Sequence, residues 1–188
     1  MQIRDLGLEG VKEIIPKRFG DARGFFSETY NQKQFEAENL PTNWVQDNHS
    51  LSADAYVLRG LHFQTNPMAQ DKLVRVISGQ VFDVAVDIRK NSPDYGKWVG
   101  LKLCAEQGNQ ILVPKGYAHG FLTLTPNAQV VYKVTALYAP ENDRSIAWND
   151  SEVGIEWPLD GQVPQLSEKD ASAPKLSEID NNFIYLKS

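Results

Sequence analysis

The clearest hydrophobic pattern in the chain is a strict alternation over residues 80–88. One face of this segment is entirely apolar, whereas the other mixes small apolar residues with two aspartates. A period of two over this length predicts a half-buried β-strand with a second, more polar face. The apolar face consists of Phe82, Val84, Val86 and Ile88, and the other face of Val81, Asp83, Ala85 and Asp87.

Shorter apolar runs recur along the chain, separated by clusters of Gly, Pro, Asn, Asp and Ser that favour turns. Helical signals are limited to residues 32–38, which follow the capping residue Asn31, and residues 174–179. Many short strands with little helix predict an all-β fold, a sandwich or barrel of the jelly-roll type with a few short helices. The further predicted strands cover residues 11–15, 25–30, 56–64, 72–77, 98–103, 110–113, 121–124 and 130–138.

The length and composition are those of one globular domain. The chain has 188 residues, of which 41% are hydrophobic and 23% charged, so it can bury a core without disulfide bonds. No internal repeat, low-complexity tract or long linker divides it. We therefore expect one domain over residues 1–188, with an extended N-terminal segment and a short helical tail at the C-terminus.

Charge and motif content exclude several classes of protein. A net charge of −5 argues against a nucleic-acid-binding protein. No apolar run approaches the ~20 residues that span a bilayer, and the N-terminus lacks the layout of a secretion signal. The single Cys104 fits a reducing compartment, so we expect a cytoplasmic protein with no membrane association. No glycine-rich nucleotide turn occurs, which excludes nicotinamide-dependent epimerases and P-loop enzymes.

The three histidines, His49, His62 and His119, are the first candidates for chemistry. Metal-binding cupins usually present two histidines one residue apart, but the matching position after His62 is Gln64. The histidines could still converge in space as a facial metal-binding set, although their spacing gives that hypothesis no support. The spacing therefore does not favour a metal site.

Several motifs in register resemble the dTDP-4-dehydrorhamnose 3,5-epimerase family. The resemblance extends from about residue 11 to about residue 176. It implies a cupin-like jelly-roll fold, a homodimer, no metal or organic cofactor, and a dTDP-linked 4-keto-6-deoxy sugar as substrate. The motifs that carry it are residues 59–64 (RGLHFQ), 81–89 (VFDVAVDIR), 116–121 (GYAHGF) and 167–170 (SEKD), supported by residues 21–24, 46–50 and 132–135.

The resemblance implies four catalytic residues. The C4 ketone of such a sugar is flanked by hydrogens at C3 and C5, and removing either gives an enolate with its charge on O4. Inversion then needs a base, an acid on the opposite face and a cation near O4. By resemblance, His62 is the base and Asp170 orients it, Lys72 faces O4, and Tyr132 is the opposite-face proton donor.

Tyr132 and Tyr138 have the same parity within the predicted strand 130–138. If that strand stays regular, six residues separate the two rings by about 20 Å along one groove. The resemblance agrees with this arrangement, because it implies that Tyr138 stacks on thymine.

The remaining substrate-binding positions implied by the resemblance are mostly charged or polar. Guanidinium groups suit a pyrophosphate, because they match its paired anionic oxygens. Asp143 departs from the family's usual Glu, and Asp150-Ser151 stands where Asp-Pro is common. Asp83 is a weaker supporting candidate. The implied substrate-binding set is Arg23, Glu28, Gln46, Asn48, Arg59, His119, Tyr138, Asp143 and Lys169.

Three alternatives remain open from the sequence. The first is a single-centre 3- or 5-epimerase or a keto-sugar isomerase on the same scaffold, although Tyr132 favours full epimerisation. The second is a metal-dependent cupin dioxygenase or isomerase. The third is a non-catalytic sugar-nucleotide-binding module.

Overall fold

The computed structural model describes residues 1–186, so the last two residues of the predicted 1–188 domain lie outside it. It contains thirteen short strands, two short α-helices and one 3₁₀ turn. The strands are β1 (Gln2–Asp5), β2 (Lys12–Ile15), β3 (Arg18–Asp21), β4 (Gly24–Ser27), β5 (Gln46–Ser52), β6 (Leu58–Gln64), β7 (Lys72–Ser78), β8 (Gln80–Asp87), β9 (Trp98–Cys104), β10 (Gln110–Val113), β11 (Tyr117–Thr123), β12 (Ala128–Val134) and β13 (Asp143–Ser145); the helices are α1 (Gln32–Ala37) and α2 (Glu168–Ala171), and the 3₁₀ turn is Leu176–Glu178.

Two antiparallel sheets form a β-sandwich. The six-stranded sheet has the order β1-β2-β10-β7-β12-β5, and the five-stranded sheet has the order β13-β6-β11-β8-β9. Strands β3 and β4 form a separate hairpin. The all-β, jelly-roll prediction with few short helices is confirmed. None of the helices in residues 1–186 has the length and apolar character needed to cross a membrane.

The main core lies between the sheets and is concentrated at one end of the sandwich. Val74 and Val130 of the six-stranded sheet pack there against Ala85 and Leu103 of the five-stranded sheet. A second cluster covers the outer face of the five-stranded sheet with side chains from the C-terminal segment, such as Leu176. A third packs α1 onto the outer face of the six-stranded sheet. Beside this core, the inward side chains of β7 and β12 are Lys72 and Tyr132, and buried Asp83 and His119 lie between core residues of β8 and β11.

Strand β8 corrects the first prediction. The alternation predicts a half-buried strand, but Val81, Asp83, Ala85 and Asp87 on its second face are completely buried. The second face meets the main core instead of solvent, because β8 lies inside a sheet that is covered on both sides. A continuous apolar run would have signalled this, but the two aspartates interrupt it.

Other boundaries also differ from the predictions. Residues 46–52, which have no hydrophobic alternation, form strand β5 at the edge of the six-stranded sheet. Strand β12 ends at Val134, well before Tyr138. The short strands β1, β3 and β13 and helix α2 were not predicted from the sequence, because each is only three or four residues long. Strand pairing and capping, which are not visible in periodicity, stabilise these elements.

A bulge in β6 depends on glycine. Strand β11 pairs His119 with His62 but Phe121 with Arg59, so three steps along β6 match two along β11. Gly60 lies in this bulge with φ of +119°, and a Cβ there would lie 2.6 Å from the Cα of Gly120. Only a residue without a side chain fits this backbone and this close approach.

We therefore predict that Gly60→Ala lowers the free energy of unfolding by about 3 kcal/mol or more, through backbone strain combined with a backbone clash. Gly161→Ala is the matched control, because its φ is also positive (+81°) but a Cβ there would meet no atom within 4 Å. The control should lose only about 1 kcal/mol. Urea titration followed by circular dichroism measures both, and equal losses would contradict the proposed clash.

Candidate active site

A cavity of about 470 Å³ opens between the two sheets beside these polar side chains. Its walls combine titratable side chains with an apolar side. The titratable groups come from strands of both sheets and from α2, so residues far apart in sequence meet here. The lining residues are Ser50, Val57, Leu58, Arg59, His62, Lys72, His119, Phe121, Tyr132, Gln165, Leu166, Ser167 and Asp170.

The β6 bulge brings Arg59 and His62 to the same cavity. Residues three apart on a regular strand point to opposite faces of the sheet. The extra residue between them restores the same facing, so both side chains line the cavity. Periodicity alone therefore could not have grouped these two residues.

His62 and Asp170 form a hydrogen-bonded couple. His62 Nε2 lies 2.6 Å from Asp170 Oδ1, and the carboxylate is 4% exposed at the side chain. Asp170 Oδ2 also accepts a hydrogen bond from the backbone N–H of Gly60. When Nε2–H donates to the carboxylate, Nδ1 carries the lone pair that can take up a proton. The couple predicted from the resemblance is thus present as a contact in the structure.

Helix α2 presents Asp170 to the histidine. Ser167 caps this helix, its hydroxyl accepting the backbone N–H of Asp170 at 3.1 Å. Burial alone would raise the pKa of Asp170, but the hydrogen bond and charge of His62, together with Ser167 and Gly60, bring it below its usual range. Asp170 therefore stays ionised near neutral pH. Sequence reasoning did not identify Ser167, although the Ser-x-x-Asp spacing is a helix-capping signal.

Lys72 contributes a buried ammonium group. It is 8% exposed, and its Nζ donates to the backbone carbonyl of His62 at 3.2 Å. Burial lowers the pKa of Lys72 to about 8, even though the carboxylates of Asp83 and Asp143 oppose that shift. The side chain is thus a cation at neutral pH, held in a site where a cation is poorly solvated. Such a group stabilises an anion placed beside it.

His119 and Asp83 form a second imidazole–carboxylate couple. His119 Nε2 lies 2.8 and 3.0 Å from the two carboxylate oxygens of Asp83, and both residues are buried. Antiparallel pairing places His119 directly opposite His62. The supporting position proposed for Asp83 is therefore a direct contact with a cavity-lining histidine.

Tyr132 and Arg59 complete the polar wall. Burial raises the pKa of the Tyr132 phenol, an effect that Arg59 partly offsets and Asp143 reinforces. The phenol therefore remains a proton donor at neutral pH. Arg59 is held by hydrogen bonds to the Ser52 hydroxyl and the Leu51 carbonyl, and its charged group stays exposed.

A smaller cavity of about 170 Å³ adjoins the first and shares His62, Lys72 and Tyr132 with it. Tyr138 lines this cavity from a loop, because β12 has already ended. The predicted separation of about 20 Å along a continuous strand was therefore wrong in its geometry, although both tyrosines border one joined space. The other lining residues are Gln46, Asn48, Phe63, Gln64, Gln70, Asp143 and Lys169.

The polar residues of this smaller cavity bond to one another. Asp143 Oδ2 accepts from Lys169 Nζ at 2.5 Å and from the Tyr138 hydroxyl at 3.3 Å. Gln46 donates to Asn48 Oδ1 at 2.8 Å and accepts the Tyr138 backbone N–H at 3.1 Å. These five predicted binding residues therefore form one connected surface beside the predicted catalytic residues.

Arg23 and Glu28 are the two predicted binding residues that this chain does not bring to the cavities. Arg23 lies at the turn of the β3–β4 hairpin, 90% exposed at the side chain and paired with Asp21 at 2.5 Å. Glu28 is exposed just after β4, within reach of the Asn31 and Gln34 side chains. Their placement does not support a contact with this chain's own cavity.

The histidines do not converge as a facial metal-binding set. His62 and His119 each pair with a carboxylate, and His49 lies on β5 beside Gln129. Within residues 1–186, no group of three or more His, Cys, Asp or Glu side chains has the arrangement of a metal site.

We predict that Lys72 titrates at about pH 8, so its positive charge is present at neutral pH and disappears as the pH rises through that value. Asp83→Asn should move the midpoint lower, since it removes a carboxylate that favours the ammonium form. NMR titration of protein that carries an isotope label at the lysine Cε atoms measures the midpoint. The signal of Lys72 is the one that is missing from the spectrum of Lys72→Met. Asp94→Asn, which alters an exposed pair with Lys97, is the control. A midpoint near 10.5 would show that burial does not act as described.

Comparison with known proteins identifies the family. A family model described as dTDP-4-dehydrorhamnose 3,5-epimerase matches residues 5–178. The dTDP-4-dehydrorhamnose 3,5-epimerase of Salmonella typhimurium is 56% identical over 166 residues, covering 88% of this chain and 90% of that protein.

Solved structures agree with this result. The dTDP-6-deoxy-D-glucose-3,5-epimerase of Legionella pneumophila Philadelphia 1, in complex with dTDP-4-keto-L-rhamnose, matches with a TM-score of 0.91 and 47% identity over 95% of this chain and 94% of that one. A 3'-monoepimerase of Streptomyces bikiniensis, in complex with dTDP-quinovose, matches with a TM-score of 0.86 and 33% identity over 92% of this chain and 86% of that one. The chain belongs to the dTDP-4-dehydrorhamnose 3,5-epimerase family.

Proposed function

We propose that this chain is an isomerase that inverts C3 and C5 of dTDP-4-dehydro-6-deoxy-D-glucose to give dTDP-4-dehydro-L-rhamnose, a step of deoxysugar (dTDP-rhamnose) biosynthesis. The observation that carries this proposal is that one cavity combines an imidazole–carboxylate couple, a buried ammonium and a protonated phenol. Names of relatives with this activity, at 47–56% identity over most of the chain, support the same substrate.

The proton transfers follow from these groups. Neutral His62, oriented by Asp170, removes a proton from the carbon beside the C4 ketone. The resulting enolate places negative charge on O4, where the Lys72 ammonium offers a fixed counter-charge in a poorly solvated site. Tyr132 then returns a proton to the opposite face, and repeating the cycle on the other neighbouring carbon inverts the second centre.

The nucleotide is proposed to bind through the remaining polar residues. Arg59 and His119 suit the pyrophosphate, and Tyr138 is suited to stack on thymine because the residue is 59% exposed at the cavity edge. Gln46, Asn48, Asp143 and Lys169 form the connected polar surface beside it.

No cofactor is required by this chemistry. A proton leaves one carbon and another proton returns to it, so no electrons pass to an acceptor and the reaction balances without a redox group. The ammonium of Lys72 takes the place that a metal ion would have at the enolate oxygen. A cytoplasmic location is part of the proposal, supported by the free thiol of Cys104.

Turnover in deuterated water tests the proposal. We predict deuterium at both C3 and C5 of the product, because each inversion replaces a carbon-bound proton with one from solvent. Proton NMR of the product measures label at each position. Label at one carbon alone would favour a single-centre epimerase, the activity named for the Streptomyces bikiniensis relative. Loss of turnover with a chelator would favour a metal-dependent enzyme.

Two variants separate proton removal from proton return in the same assay. His62→Ala should lose exchange at both carbons while still binding dTDP, which separates an enzyme from a binding module. Tyr132→Phe should reduce net inversion more than exchange at the first carbon, because proton removal does not need the phenol. Exchange that survives in His62→Ala would show that the base is another residue.

The proposal includes a homodimer in which Arg23 and Glu28 reach the partner's cavity. Both match substrate-binding positions of the family, yet neither approaches the cavities of its own chain. The β3–β4 hairpin that carries Arg23 also exposes Phe19, Phe25 and Phe26 by 54–65%, an apolar surface suited to burial against another chain.

Mixing two inactive variants tests this arrangement. We predict that Arg23→Ala and His62→Ala are each strongly impaired, and that a co-refolded mixture regains activity because each mixed dimer has one intact site. Sedimentation equilibrium should give twice the mass of one chain. The control is a mixture of Lys72→Met and His62→Ala, in which every site of every mixed dimer lacks one catalytic side chain, so activity should stay low. Absence of recovery in the first mixture would contradict the shared site.

A further inference from the structure

The loop between β12 and β13 is held by side chains instead of strand neighbours. It carries Tyr138, whose ring is exposed at the edge of the smaller cavity. Three glutamines, here called the glutamine clamp, bind its main chain. Gln70 Nε2 donates to the Ala136 carbonyl at 2.8 Å, Gln64 Nε2 donates to the Leu137 carbonyl at 3.1 Å, Gln64 Oε1 accepts from the Ala139 N–H at 2.9 Å, and Gln46 Oε1 accepts from the Tyr138 N–H at 3.1 Å.

Gln64 is the central member of the clamp. It is 4% exposed and bonds to the loop on both sides of Tyr138, at Leu137 and at Ala139. It also donates to the Met68 carbonyl at 2.6 Å, so both ends of its carboxamide are engaged. A buried carboxamide with these bonds defines the path of the chain, since breaking any of them leaves a buried polar group unpaired.

Gln64 also connects the loop to strand β6, which carries His62. It lies two residues after His62 on β6, and both side chains face the cavities. It pairs in the sheet with Asp143, whose carboxylate accepts the Tyr138 hydroxyl at 3.3 Å. Gln64 therefore fixes the main chain on both sides of Tyr138, and the residue paired with Gln64 accepts the Tyr138 hydroxyl.

We propose that Gln64 is a positioning residue that fixes Tyr138 for the nucleotide end of the substrate. This inference rests on the proposed function, because it assumes that Tyr138 contacts the nucleotide. An exposed ring has little packing to hold it, so its position is set by the main chain beneath it. A loop ordered before binding loses less conformational entropy when the ligand arrives.

Gln64→Met tests the inference, because methionine keeps the length and burial of the side chain but removes its hydrogen bonds. We expect KM for the keto-sugar nucleotide and Kd for dTDP to rise by about tenfold, with kcat changed by less than about threefold. In a Tyr138→Ala background the same substitution should add little, since the ring it positions is already absent. Calorimetry with dTDP and steady-state kinetics are measured on the parent, the two single variants and the double variant, which together form a double-mutant cycle.

Asn109→Leu is the matched control. Asn109 is also a buried carboxamide that accepts a backbone N–H, from Cys104, and donates to a backbone carbonyl, of Lys102. It also donates to Glu13 Oε1, and it lies outside both cavities. It should lose stability without a change in dTDP affinity. Equal effects of Gln64→Met with and without the Tyr138 ring would overturn the proposal, as would an effect on kcat alone.

Hydrogen exchange separates this inference from the proposed function. In Gln64→Met, the amides of Tyr138 and Ala139 should exchange faster than in the parent chain, whatever reaction the protein catalyses. Unchanged exchange would overturn the clamp. Faster exchange in Gln64→Met, combined with a parent protein that fails to epimerise the sugar, would overturn only the proposed function. If Gln64→Met does not fold, Gln70→Leu is the alternative, because it removes a single clamp bond. It should give smaller increases in exchange and in Kd for dTDP. Unchanged exchange and Kd in Gln70→Leu would count against the clamp.

Discussion

The burial of charged groups between two sheets is the constraint on which this structure depends. An apolar interior would exclude Lys72, Asp83, His119 and Asp170 unless each had a partner. Each of the two cavity histidines accordingly meets a carboxylate, and Lys72 bonds to a carbonyl in the electrostatic reach of Asp83 and Asp143. The contacts that offset the cost of burying these groups also fix their positions. Groups that are fixed and poorly solvated are the ones that can act on a developing charge without first reorganising.

The division of the sandwich interior explains where that site lies. At one end, inward positions hold Val74, Ala85 and Val130, which provide an apolar core. Lys72 and Tyr132 lie on the same strands as Val74 and Val130, two residues away, and therefore point to the same side of the sheet. Since β7 and β12 contribute to both the core and the cavity, core packing positions the proposed catalytic side chains only two residues away. Stability and activity are therefore linked through short stretches of β7 and β12.

Much of the architecture could be predicted from the sequence, and the exceptions have physical causes. Alternation located most of the longer strands. Strand β5 has polar residues on both faces, because one face borders a cavity and the other is exposed. Spacing could not group Arg59 with His62, because the bulge at Gly60 arises from pairing with a strand about sixty residues later. The resemblance to a family supplied the predicted acid–base residues, and the structure brings them to one cavity. It did not reveal Ser167 or Gln64, whose contacts are with the main chain.

The assembled site also suggests why enzymes that invert one centre and enzymes that invert two can share one fold. The protons at C3 and C5 flank the same ketone, so a single base, a single cation at O4 and a single opposite-face acid serve both. What differs between the two outcomes is how the ring is presented to His62 and Tyr132 in turn. Under the proposed function, the nucleotide end is an anchor for that presentation, because the sugar is covalently linked to the pyrophosphate. Under the proposed function, residues that hold the nucleotide end, such as Tyr138 and its glutamine clamp, therefore act on ring presentation together with the acid–base set.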